Sequence, residues 1–168
     1  MRPSMMPVIA AACCLGLSAA HAQPPCTEQP VFDLEALKSE MMVLATDCHA
    51  DAQYNAFMER FHPELLANEH ALDAYFRRLY GRRGQTEHDS FITNLANAQS
   101  EVGLRQGTDF CQRNAMLFQE ALTVNTNELP AFAAGQALLP PTLAACQQPQ
   151  PTHTRAVVHH IVHKKIKH

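Results

Sequence analysis

The spacing of apolar residues is the feature that most constrains how this chain can fold. Between residues 33 and 124, large apolar side chains recur at intervals of three and four, which places them on one face of a helix. The first such stripe is Leu34, Leu37, Met41 and Leu44. No β-branched alternation and no Asn-Gly or Asp-Gly hairpin occurs in the body. We therefore predict an all-α fold, a bundle of four to five helices.

Prolines, glycines and capping residues divide this body into segments. The first predicted helix begins at Asp33. The next four run from about Cys48 to Phe61, from Pro63 to Tyr80, from 87 to about 104 and from 109 to about 124, and a short sixth helix covers 130–138. Thr86 and Asp89 resemble a capping box before the fourth helix. Its expected buried face is Phe91, Leu95, Ala98 and Val102.

The first 22 residues have the pattern of a secretory signal peptide. Arg2 precedes an apolar run over residues 7–20, and Ala20 and Ala22 are the small residues that a signal peptidase requires. We expect cleavage after Ala22 and a periplasmic or secreted protein. Lipidation at Cys13 is the competing interpretation, although its apolar segment would be very short. No later run approaches the length of a transmembrane segment.

Four cysteines follow the signal peptide, and in an oxidising compartment they predict two disulfides. Three pairings are possible. Cys48 and Cys111 each fall in the first turn of a predicted helix, so they could join the second helix to the fifth. Cys26 and Cys146 flank the body and could connect its two ends. We favour this nested pairing over the other two.

Charge separates a helical domain at 23–148 from a tail at 149–168. Residues up to 149 after the signal carry 16 acidic against 8 basic side chains, whereas the tail carries four basic residues, no acid and five of the ten histidines. The tail is either disordered or a short amphipathic helix that contacts a protein or an envelope polyanion. His159, His160 and His163 are weak candidates for metal ligands. The acidic body argues against nucleic-acid binding.

A second candidate binding segment combines arginines with a tyrosine near the end of the third helix. Its residues are Arg77, Arg78, Tyr80, Arg82 and Arg83. Guanidinium groups could bind phosphate, carboxylate or glycan there. The alternative is structural, because cations at a helix C-terminus favour the helix dipole and can pair with an acidic body.

The sequence offers no nucleophile motif, phosphate loop or thiol-redox motif, so we predict no catalytic residue and no cofactor. We expect a non-enzymatic accessory or binding protein of the bacterial cell envelope that acts through surface contacts. One alternative is a small periplasmic enzyme with a carboxylate and histidine site in a cleft between helices. Its candidate residues are Glu64, Glu69, His70 and Asp73, and a pocket lined by two or more of these acids would favour it. The other alternative is a metal-binding or stress protein that uses the histidine tail.

Overall fold

The computed structural model describes residues 27–143, and this part of the chain is built from helices without any β-strand. The α-helices are α1 (Gln29–Cys48), α2 (Asp51–Arg60), α3 (His62–Tyr80), α4 (Gly84–Gln106), α5 (Phe110–Thr123) and α6 (Leu129–Gln136). Short 3₁₀ turns lie at Gly81–Arg83, Gly107–Asp109, Thr126–Glu128 and Pro141–Leu143. The all-α prediction is confirmed for these residues. None of these helices combines the length and apolar character needed to cross a bilayer.

Helix α1 lies in the middle of the fold and packs against each of the other five α-helices. Its buried residues are Phe32, Leu34, Glu35, Ala36, Leu37, Ser39, Glu40, Met41, Val43, Leu44 and Ala45. The four residues of the predicted apolar stripe, Leu34, Leu37, Met41 and Leu44, are all buried, but burial also extends to polar positions on other sides of the helix. A helix surrounded by neighbours must bury its polar positions as well as its apolar ones.

The core divides into two apolar clusters, and α1 contributes to both. One contains Leu37 and Met41 of α1, Phe57 of α2, Phe61 at the junction of α2 and α3, and Phe118 of α5. The other is mainly aromatic and contains Phe32, Tyr75, Phe76, Phe91 and Leu95, from α1, α3 and α4. Phe32 meets Tyr75 and Phe91 edge to face, with ring centroids 4.9 and 5.1 Å apart. This geometry is the favourable one for aromatic pairs.

The boundary between α1 and α2 differs from the prediction. Cys48 is the last residue of α1, and α2 begins three residues later at Asp51. His49 adopts a left-handed conformation with φ of 57°, and the N–H of Ala50 donates to the carbonyl oxygen of Ala45 at 3.0 Å. This backbone cap ends α1.

A disulfide joins Cys48 to Cys111, so this predicted pair is confirmed. The bond connects the C-terminus of α1, rather than the start of the second helix, to the first turn of α5. Cys26 and Cys146 lie outside the described residues, as do the predicted signal peptide and the tail, and their pairing stays a prediction.

Helix α4 also begins earlier than predicted, at Gly84, and no side chain caps it. Thr86 and Asp89 therefore lie inside the helix rather than at its start. Its buried face is Gly84, His88, Phe91, Leu95, Gln99 and Gly103. Val102 is exposed, contrary to the prediction. This face also contains two buried polar residues that were not predicted to lie on it, His88 and Gln99, and Gln99 donates to the carbonyl oxygen of Ala36 at 2.9 Å.

We expect Gly84→Ala to lower the free energy of unfolding by about 1–3 kcal/mol, because a Cβ there would meet the backbone of α3. That atom would lie 2.8 Å from Arg77 Cα and 2.9 Å from Arg77 N. Gly135→Ala is the matched control, since a Cβ at Gly135 in α6 meets nothing within 4 Å. Urea denaturation should show a loss for the first variant and no loss for the second. Equal stability of both would contradict the close approach of α3 and α4.

The buried Glu40 on α1 should make stability depend on pH. Burial, together with the negative charge of Asp47, raises the pKa of Glu40 to about 7 from an ordinary value of 4.5. Below the ordinary value the carboxyl is neutral in both the folded and the unfolded chain. As pH rises towards 7 the unfolded chain releases this proton first, so the stability that the neutral carboxyl gives is lost.

Glu40→Gln should therefore raise the melting temperature above pH 7 and change it little at pH 4. The difference in unfolding free energy between the two conditions should be about 1–3 kcal/mol. Glu120→Gln, at an exposed position of α5, is the control and should show no such pH dependence. A Glu40→Gln effect of the same size at pH 4 and pH 8 would show that burial of the ionised group is not its cause.

Candidate functional site

A cavity of about 530 Å³ opens between α1, α2, α3 and α4. Its polar lining residues are Glu35, Lys38, Ser39, Glu69, Gln85, His88, Asp89 and Thr93. The remaining lining residues are Met42, Tyr54, Met58 and Ile92. The cavity therefore has a charged end and a largely apolar wall, a combination common in small-molecule sites.

His88 is a buried titratable group at the polar end of the cavity, with 3% of its surface exposed. One face of its ring stacks on Phe76, with centroids 5.4 Å apart and planes 17° from parallel. Its Nδ1 atom lies 2.8 Å from Oδ1 of Asp73. Stacking and hydrogen bonding together fix the orientation of the imidazole ring.

Asp73 determines which nitrogen of His88 carries the proton. Burial opposes ionisation of Asp73, but hydrogen bonds from Arg77 and His88 outweigh it and hold the pKa of this carboxyl below its usual range. An ionised carboxylate can only accept hydrogen bonds, so Nδ1 of His88 is the donor. In the neutral imidazole, Nε2 is consequently a bare acceptor.

The Nε2 atom of His88 is buried and has no hydrogen-bond partner among residues 27–143. The nearest carboxylate atom that faces it is Oε1 of Glu69, at 3.7 Å, which is too long for a hydrogen bond. Both atoms are acceptors when the imidazole is neutral. The site thus presents two neighbouring acceptors with no donor between them, and an unpaired buried polar atom is costly unless a bound group satisfies it.

Lys38 connects this pair to α1. Its Nζ lies 2.8 Å from Oε2 of Glu35 and 3.1 Å from Oε2 of Glu69. Burial lowers the pKa of Lys38, but the two carboxylates outweigh burial, so its pKa is raised and the ammonium stays charged. Burial raises the pKa of Glu35, and Lys38 opposes that rise. Lys38 binds Glu69 through Oε2 and leaves Oε1 directed at His88.

The carboxylate and histidine set expected for an enzyme is only partly brought together. Glu69 and Asp73 both face His88, but His70 is exposed and Glu64 takes no part in this cluster. Of the expected acids, only Glu69 lines the cavity, so the condition of two such acids is not met.

Sequence reasoning missed His88, Glu35 and Lys38. His88 could have been found, because it lies four residues after Gly84 and three before Phe91, on the extension of the apolar stripe of α4. A polar residue that continues an apolar stripe must have a buried partner or a ligand. Glu35 gave no such signal, because its burial depends on how α1 packs against its neighbours in the tertiary fold.

The arginine segment lies at the end of α3 and the turn after it. Arg77 pairs with Asp73 at 2.7 Å, and Arg83 pairs with Glu87 at 3.1 Å. Arg78 pairs with Glu28. Arg82 is exposed, and Tyr80 stacks on Phe76. Three of the four guanidinium groups therefore have carboxylate partners within the chain, and anion binding by this segment stays a prediction.

The metal-ligand candidates His159, His160 and His163 lie outside the described residues. Comparisons with protein-family models, curated proteins and solved structures found no match to this chain.

Asp73→Asn should lower stability most where the native carboxylate is ionised. The pKa of Asp73 is depressed in the folded protein, so its contribution is present above the ordinary value of 3.8 and is lost as pH falls through the depressed value. Thermal melts should show a larger loss at pH 6 than at pH 2.5. Asp109→Asn, at an exposed position, is the control. A loss that did not change with pH would contradict the assigned role of the carboxylate.

Proposed function

We propose that this chain is an exported, non-enzymatic binding protein of the bacterial envelope that captures a small ligand in the cavity between α1, α2, α3 and α4. The observation that carries this proposal is the pair of acceptors, His88 Nε2 and Glu69 Oε1, with no donor between them. A ligand that supplies a hydrogen-bond donor or a positive charge would satisfy both atoms together.

Charge at the polar end supports a cationic or donor-bearing ligand. Three carboxylates (Glu35, Glu69 and Asp73) face two cations (Lys38 and Arg77). When all five are ionised, they leave one net negative charge beside the imidazole. Lys38 binds Oε2 of Glu69, so Oε1 is the oxygen of this carboxylate that can contact a ligand bound at Nε2 of His88.

The apolar wall supports a ligand with a hydrocarbon part. Met42, Tyr54, Met58 and Ile92 line it, and methionine side chains adapt to ligands of different shape. A molecule with an apolar body and an amine or hydroxyl head would match both ends of the cavity.

Export is supported by the signal-peptide pattern of the first 22 residues and by the Cys48–Cys111 disulfide, because such bonds persist mainly in oxidising compartments. Outside the cytoplasm, the basic tail at 149–168 would give the protein a means of contact with an envelope polyanion or an acidic protein.

The proposal predicts that ligands are discriminated by their head group. Metal-free protein should bind n-octylamine at least tenfold more tightly than n-octanoate, with n-octanol between them, when each is titrated by calorimetry. The ammonium donates to both acceptors, whereas the carboxylate meets Glu69 with like charge.

Glu69→Gln should reduce the amine preference to less than threefold, because it removes the negative charge at the polar end. Glu69 is partly exposed, so this substitution is compatible with the fold. Glu101→Gln, on the exposed side of α4, is the matched control and should keep the preference. If the three probes bind equally, or none binds, the cavity does not have the proposed function.

The Asp73–His88 pair also favours a second function, general acid–base catalysis. A histidine held by a carboxylate at Nδ1, with Nε2 directed at a cavity, has the arrangement of a general base. Incubation with n-octyl acetate tests this candidate. Release of octanol that depends on His88 would support an enzyme, and recovery of intact ester would exclude this hydrolysis.

A further inference from the structure

We propose that Nε2 of His88 and Oε1 of Glu69 together coordinate a divalent transition-metal ion, with Asp73 as the residue that orients the imidazole. This inference deepens the proposed function, because it names a ligand class for the polar end of the same cavity. A metal ion supplies the positive charge that both acceptors can bind.

The distance between the two atoms fits an ion better than it fits a direct contact. At 3.7 Å they are too far apart for a hydrogen bond. Zinc binds histidine nitrogen and carboxylate oxygen at about 2.0–2.2 Å each. With both bonds at those lengths and 3.7 Å between the two ligand atoms, the angle from Nε2 through the ion to Oε1 is somewhat wider than tetrahedral. An ion could therefore bind between the two atoms without rearrangement of the side chains.

His88 has the environment of a metal ligand rather than of a core residue. Its side chain is more than nine-tenths buried, it borders the cavity, and Nε2 lacks a partner within the described part of the chain. The lone pair is available because Asp73 holds the proton on Nδ1. A carboxylate bonded to the far nitrogen of a coordinating histidine fixes the tautomer and increases ligand basicity.

Lys38 is compatible with an ion at this position. Its ammonium contacts Oε2 of Glu69, on the other side of the carboxylate from the atom that faces His88, and it also pairs with Glu35. Two protein ligands leave positions for water around the ion. The buried Oγ of Ser39 also lines the cavity and has no partner among residues 27–143, so it could hydrogen-bond such a water.

The ligand set favours one class of ion. A neutral imidazole with a single carboxylate suits zinc and copper, whereas calcium and magnesium require more oxygen ligands. Glu69, Asp73 and His88 are also mutually close, with one candidate ligand atom of each within 4.8 Å of the others. We assign Asp73 the outer position because its Oδ1 already accepts from His88.

The experiment uses the full processed chain, stripped of metal, and titrates Zn²⁺ by calorimetry alongside equilibrium dialysis. His88→Gln and Glu69→Gln should each weaken the cavity-bound Zn²⁺ at least tenfold, and Asp73→Asn should weaken it about 10-fold or more through the loss of orientation. Glu101→Gln, on α4 outside the cavity, should leave binding unchanged. Mg²⁺ should not compete at equal concentration.

The tail requires its own control because it contains histidines at metal-binding spacing. A full-length variant with His159, His160 and His163 all replaced by Gln should retain the ion that depends on His88 and Glu69. If the tail variant lost all Zn²⁺ while the Glu69→Gln variant kept it, the inference would be overturned. Glu69 is 41% exposed, so its variant remains informative even if His88→Gln fails to fold.

The two proposals fail in different ways. If n-octylamine binds with the expected preference but Zn²⁺ binding does not depend on His88 or Glu69, the metal inference is wrong and the binding function stands. If Zn²⁺ binds as expected, it should displace n-octylamine, since both ligands use the same two atoms. Simultaneous binding of both would contradict the shared site.

Discussion

The position of α1, packed against the other five α-helices, governs the rest of the structure. A helix with this many neighbours cannot keep all of its polar positions in water, so several of its acids and hydroxyls lie against neighbouring helices. Glu35 forms an ion pair with Lys38, one turn away on the same helix. Glu40 is buried near the negative charge of Asp47, and the pKa of its carboxyl is raised instead. The same helix that organises both apolar clusters therefore also brings charge into the interior.

The buried charges near the cavity depend on one another. Burial of an isolated ion costs several kcal/mol, and that cost falls only when partners satisfy the ion's remaining hydrogen-bonding sites. Lys38 links Glu35 on α1 to Glu69 on α3, while Asp73 links Arg77 to His88 on α4. In this network Nε2 of His88 is buried without a hydrogen-bond partner among residues 27–143, and it faces Oε1 of Glu69 beside the cavity.

Much of the fold follows from local sequence, but the site does not. The residues around Pro63 and Gly81 predict α3 almost to the residue, because proline and glycine impose local backbone constraints. The left-handed cap at His49 carries no glycine or asparagine to mark it in the sequence, and the close approach at Gly84 is a tertiary contact, so the starts of α2 and α4 were misplaced. The Cys48–Cys111 pair was predicted correctly, although the helix that carries Cys48 was not.

The site is assembled from different helices, so periodicity could place His88 on the buried face of α4 but could not show that Glu69 and Asp73 of α3 face it. Glu69 and Asp73 lie four residues apart on α3, so their common face was accessible, but the histidine between them comes from α4 rather than from His70. Phe76, next in the same stripe, supports that histidine from behind. The imidazole of His88 is already fixed in orientation, with Nε2 at the edge of the cavity. A ligand would therefore bind without the entropic cost of ordering this side chain, which favours binding.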